Sequence, residues 1–183
     1  NPKALKEEIE KYIKKEKVKK VKGIVSPHAG YIYSGKAAGA VYSKITVPKK
    51  VIILGPNHTG IGYSSSIMSE GSWHMPFGDI NINKELAEKI KENSKVIKED
   101  PSAHLYEHSI EVQLPFLQYI ESNFSFVPIT MKDYSIDTCL DIGNALSKAI
   151  DKDDVLIVAS SDMSHYEPRE VAEKKDKIAI REI

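Results

Sequence analysis

Apolar residues recur at helical spacing in Leu5, Ile9, Tyr12 and Ile13, which predicts an amphipathic helix over residues 3–15. A lysine-rich connector leads from it into the first of three short apolar runs, Val21–Ser26, Lys50–Leu54 and Val155–Ser160. Each has the length and β-branched content of a buried strand, and Phe124–Met131 is a fourth. Between them the pattern changes to the helical period over Gly35–Ser43, Lys84–Asn93, Ile110–Ile120 and Ile136–Ile150. Residues 63–81 follow neither rhythm. Their polar run Tyr63-Ser-Ser-Ser and turn-rich Trp73-His-Met-Pro-Phe-Gly predict an antiparallel addition at a sheet edge. Strands alternating with helices, with no tight hairpin between the strongest strands, predict a layered α/β domain with a mainly parallel sheet.

Composition narrows the function classes. The chain has 183 residues, and 26 basic residues balance 26 acidic ones. That parity argues against a nucleic-acid binder, which usually carries a one-sided surplus. The Lys-rich segment 3–22 reads as a solvated helix face rather than an anion patch. No apolar run approaches the roughly 20 residues of a membrane span, so no membrane association is expected. A single cysteine, Cys139, and the lack of a leader pattern suit a reducing cytoplasm. Cys139 falls in the apolar pattern of 136–150 and reads as a small core residue. Arginine is confined to Arg169 and Arg181, and this Lys/Glu-rich composition hints at a thermophilic source. The chain opens without Met and stops within an amphipathic pattern that includes Ile178 and Ile180, which suggests missing terminal segments around one α/β domain over 1–183.

The chemistry should lie beyond the strands. The three strongest strands run into Ser26-Pro-His28-Ala-Gly-Tyr, Gly55-Pro-Asn-His58-Thr-Gly and Ser160-Ser-Asp162-Met-Ser-His165. In a parallel sheet these C-terminal ends share one edge, where ligands bind. Histidines far apart in sequence thereby become neighbours. Neutral imidazoles beside a carboxylate suit a first-row transition metal, two His and one acid being a non-haem Fe(II) arrangement. Glu107-His108 offers a further contribution, with His108 open to three readings: a ligand, a proton-transfer group or a helix-entry contact. Tyr31, Tyr33, Trp73 and Phe77 could wall an aromatic pocket, although ordinary packing accounts for any one of them.

Taken together, SPHAGYIYSG (26–35), LGPNH (54–58), EHSIEVQLPFL (107–117) and SSDMSH (160–165) resemble the MEMO family (mediator of cell motility), in an archaeal or bacterial member. That family is similar in fold to class III extradiol dioxygenases, which implies a three-layer α/β/α domain with a mostly parallel or mixed central sheet. The resemblance implies that His28 and His58 are metal ligands, for Fe(II) or Cu. It places Asp162 and His165 in the same vestibule, and His108 near it, as catalytic candidates. It also implies a third ligand, a cysteine from a later part of the family's chain, to which Cys139 does not correspond. The implied activity is a metal-dependent, dioxygenase-like oxidation of an unidentified small molecule. The other reading is a non-catalytic module that binds a peptide or phosphopeptide in the same crevice.

Two rival motifs are weaker. Gly30 to Ala37 nearly spells a phosphate-binding loop, but Ala37 replaces the Mg²⁺-binding hydroxyl, and Tyr31, Ile32 and Tyr33 fill a loop that needs slim residues. His104-Leu-Tyr-Glu107-His108 matches the zinc-peptidase pattern HxxEH, with only a weak helix start before it. GxSxG is absent, so a serine hydrolase has no support.

Overall fold

A computed structural model describes residues 1–182. In chain order the elements are α1 (Pro2–Tyr12), β1 (Gly23–Ser26), α2 (Tyr31–Tyr42), β2 (Lys50–Pro56), β3 (Ser65–Ile67), β4 (Ser72–Trp73), β5 (Ile80–Asn81), α3 (Lys84–Asn93), β6 (Ile97–Glu99), α4 (Leu114–Ile120), β7 (Ser125–Met131), α5 (Ile136–Ile150), β8 (Val155–Ser160) and α6 (Arg169–Arg181). Six strands form one sheet in the order β1-β8-β2-β7-β3-β6. The first four are mutually parallel, β3 runs antiparallel to β7, and β6 is parallel to β3. The expected α/β sheet is therefore present.

Helices cover both faces, which explains why the central strands read as continuous apolar runs rather than alternating ones. Val51 and Ile53 of β2 and Phe126 of β7 turn toward Ile9, Tyr42, Phe116 and Leu117 from α1, α2 and α4. Ile52, Val127 and Ile129 turn the other way, onto Leu86 and Ile90 of α3 and Ile142 and Leu146 of α5. Full burial of such side chains contributes about 1.5–3 kcal/mol each. Helix starts are fixed locally. The Asn1, Asn83 and Ser135 side chains accept hydrogen bonds from the backbone of the first turns of α1, α3 and α5.

Several boundaries differ from expectation for physical reasons. α2 begins at Tyr31, because the Tyr31 ring packs edge-on against Phe116 at 5.4 Å and extends the buried face ahead of Gly35. Gly35 and Gly39 then let α1 cross closely: a Cβ at either would lie 2.5 Å from Tyr12. Gly35 is thus a packing glycine, and no phosphate loop exists there. The predicted helix 110–120 resolves into a 3₁₀ turn at Glu111–Gln113 and then α4, whose first turn takes Pro115 where no N–H is needed. The segment 63–81 does supply an antiparallel strand, β3, but β6 flanks it, and β4–β5 form a separate small hairpin. Cys139 is exposed, contrary to its reading as core. The buried stripe of α5 runs through Thr138, Ile142, Ala145, Leu146 and Ala149, and Cys139 lies beside it. No described helix is long and apolar enough to cross a membrane.

Candidate metal centre

Adjacent parallel strands bring their ends together. β8 lies between β1 and β2, with Ser26 opposite Ser160 and Leu54 opposite Ala159. The loops that follow therefore meet at one sheet edge. Asp162, beyond β8, ties the loop after β1: one carboxylate oxygen accepts the backbone N–H groups of His28 at 2.7 Å and Ala29 at 3.1 Å. Its other oxygen lies 3.8 Å from His28 Nε2 and 3.5 Å from His165 Nε2.

His28 is buried, and a chain of hydrogen bonds decides which of its nitrogens carries the proton. Tyr42 donates to Gln113 Oε1 at 2.8 Å, which turns the Gln113 amide nitrogen toward the Pro27 carbonyl at 2.9 Å and Ser160 Oγ at 2.8 Å. Ser160 gives its only proton to the Ser109 carbonyl at 2.6 Å. Toward His28 Nδ1, 3.1 Å away, the hydroxyl can then only accept. The imidazole must be protonated at Nδ1, which leaves the Nε2 lone pair free. Burial pushes its pKa below the ordinary imidazole value, with the neighbouring His58 and His108 adding to the fall against the pull of Asp162. The ring is therefore held neutral.

His58 is oriented the same way by different means. Buried Glu107 accepts from His58 Nδ1 at 2.9 Å, from the His58 backbone N–H, and from the Ser109 N–H at 2.9 Å. Burial alone would raise the pKa of this carboxyl, but those donors outweigh it and hold it at about 2. A carboxylate behind the imidazole fixes the tautomer and again presents Nε2. The rings of His28 and His58 are 5.3 Å apart, and His108 joins them at 5.8 Å and 4.9 Å. His58, Glu107 and His108 bring one ligand atom each within 4.8 Å of one another, spacing that suits a metal ion.

A cavity of about 560 Å³ opens beside this cluster. His28, His58, Asp162 and His165 line it together with the apolar side chains of Leu54, Ile142 and Leu146. His165 is exposed and stands at the rim rather than among the three packed rings. Cys139 and Tyr134 of the α5 side also face the cavity. The aromatic residues do not wall it. Tyr31 packs on Phe116 and donates to the Val112 carbonyl, Tyr33 is exposed, Trp73 packs on Phe126, and Phe77 lies by a separate surface groove. The zinc-peptidase pattern also fails to assemble, because His104 sits in a single 3₁₀ turn that ends before Leu105, off any helix shared with His108. Two positioning residues escaped the sequence reading: Ser160 and Gln113. Gln113 left one signal, as one of only two glutamines, set in an apolar helical pattern.

A family model described as Memo-like protein matches residues 1–183. The chain belongs to the Memo-like family. A MEMO1 family protein of Aquifex aeolicus is 50% identical over 167 residues, covering 91% of this chain and 62% of that protein. Family proteins of Methanothermobacter thermautotrophicus and Methanococcus maripaludis are 42% and 45% identical, covering 91% and 93% of this chain and 62% and 63% of their own lengths. The chain thus spans less than two thirds of these relatives.

Proposed function

We propose that the chain carries a transition-metal site of the Memo-like family, in which His28 and His58 hold iron or copper through Nε2. The observation behind this reading is that both imidazoles have Nδ1 committed to an acceptor, Ser160 in one case and Glu107 in the other, so two free lone pairs lie on neighbouring rings. Imidazole donors suit both metals. Glu107 serves His58 as a positioning group, its oxygens already taken by three donors. A bound iron or copper ion would supply redox chemistry toward a substrate in the adjoining cavity. The chain's own residues would do the rest. The apolar wall of Leu54, Ile142 and Leu146 receives an apolar small molecule and excludes water. Asp162 holds the His28 loop, the exposed imidazole of His165 exchanges protons at the cavity, and His108 does so beside the ring of His58.

Anaerobic titration with Fe(II) and Cu(I) tests the reading. His28→Ala and His58→Ala should each lower Fe(II) affinity at least 10-fold, and Glu107→Gln by about 10–100-fold through loss of orientation. Unchanged Fe(II) and Cu(I) binding in both histidine variants would overturn it. A phosphopeptide that binds the cavity without metal would favour the binding-module reading instead.

A further inference from the structure

A second histidine environment lies away from the metal centre. His104 is 8% exposed, yet neither of its ring nitrogens has a hydrogen-bond partner among the described residues. Such a group costs free energy unless something else satisfies it. It lines a cavity of about 440 Å³ between the β4 strand and the 101–105 segment. Two of the chain's four methionines, Met68 and Met75, line the same cavity, together with Trp73 and Glu111. Trp73 stands edge-on to His104 at 5.7 Å and donates its indole N–H to Met68 Sδ at 3.3 Å.

We propose that this cavity is a soft-metal site, in which His104 and the thioethers of Met68 and Met75 bind one Cu(I) ion. The assignment does not rest on the function proposed for His28 and His58. Three features carry it. Thioether sulfur selects Cu(I) over harder divalent ions, and an imidazole with a free nitrogen completes a compatible set. The electrostatics favour a cation: no lysine or arginine among the described residues lines the cavity, Glu111 does, and the carboxylates of Asp100, Glu99 and Glu107 also act on His104. Access to the ring nitrogens favours a bare ion over a hydrated one. Each His104 nitrogen exposes less than 1 Å² to a water-sized contact, whereas a bare metal ion approaches nitrogen to about 2.0 Å, closer than the roughly 2.9 Å of a hydrogen-bonded oxygen. Burial also keeps the imidazole neutral, holding its pKa at about 4, so the lone pair stays available.

Trp73 is the chain's only tryptophan, which makes its fluorescence a reporter confined to this cavity. The probes are Cu(I) under anaerobic conditions and Ag(I) as its redox-inert counterpart. All chains carry Cys139→Ser, which removes the exposed thiol that would take up either ion first, and enough ion is added to fill the strand-end histidines as well; either ion should then quench Trp73. The His28→Ala/His58→Ala double variant should be quenched alike, because the ion sits elsewhere. Met68→Leu/Met75→Leu removes both sulfurs while nearly conserving volume, and should weaken quenching at least 10-fold. His104→Gln should do the same, and Zn(II) at the same ratio should leave the emission unchanged. Wild-type quenching by Met68→Leu/Met75→Leu would overturn the proposal. So would loss of quenching in the His28/His58 variant, which would place the ion in the strand-end cluster.

Discussion

His28 and His104 are the same residue type at nearly the same depth, 4% and 8% exposed, and the molecule treats them in opposite ways. The His28 ring hangs on a relay from Tyr42 through Gln113 to Ser160, where every proton has a destination. His104 meets indole and thioether and finds no partner for either nitrogen. Burial lowers the pKa of both, so neutrality alone does not separate them. What separates them is orientation. A satisfied Nδ1 presents Nε2 in one direction, whereas an unpartnered ring is held only by packing.

Acid should reveal the contrast most strongly. For His104 the folded pKa of about 4 lies below the ordinary 6.5, so between those values the unfolded chain binds the extra proton. Stability contributed there is present above about pH 6.5 and is lost as pH falls toward 4, by about 3 kcal/mol. His28 acts in the same direction. Glu107 works in a lower window. Its pKa falls from 4.5 unfolded to about 2 folded, so its contribution of about 3 kcal/mol is intact above pH 4.5 and disappears toward pH 2. Urea melts across pH should show two limbs, with Glu107→Gln flattening the lower and His104→Phe the upper. Identical profiles for these variants and the wild type would break the comparison.

At neutral pH, Glu107→Ala should destabilise by about 3 kcal/mol, because it leaves the buried Ser109 N–H without an acceptor and takes the same carboxylate from the His58 N–H and Nδ1. His104→Phe should move the other way, stabilising by about 1–2 kcal/mol, since it replaces an unsatisfied polar ring with an apolar one. A destabilised His104→Phe variant would mean that the nitrogens have a partner after all. Ser160→Ala has the smallest expected effect, about 1 kcal/mol in stability. Its more specific signature is a shift of the His28 tautomer in ¹⁵N NMR spectra. A spectrum unchanged from wild type would show that the relay does not set the proton.

The site's location was legible in the sequence because chain direction and strand periodicity are local properties. Three apolar runs of strand length, each followed by a loop bearing His, sufficed to place His28, His58 and Asp162 at one sheet edge. His165 was assigned there by the same rule, but its ring stays at the rim, since two further residues separate it from Asp162 and the loop leaves the strand. Cys139 was misread because it sits one position off the buried stripe of α5, a difference of about 100° around a helix that the apolar pattern of Leu140, Leu146 and Ile150 conceals.

By itself the sequence determined the α/β alternation, the two-faced burial of the strands, the strand-end loops and, through four ordered motifs, the family. The tertiary structure alone decided which nitrogens are free. Ser160 reaches His28 across 132 residues, Glu107 reaches His58 across 49, and Tyr42 reaches Gln113 across 71. Hydrogen bonds act over about 3 Å and depend on direction. No spacing along the chain encodes them, and only packing the helices onto both faces of the sheet brings their partners within range.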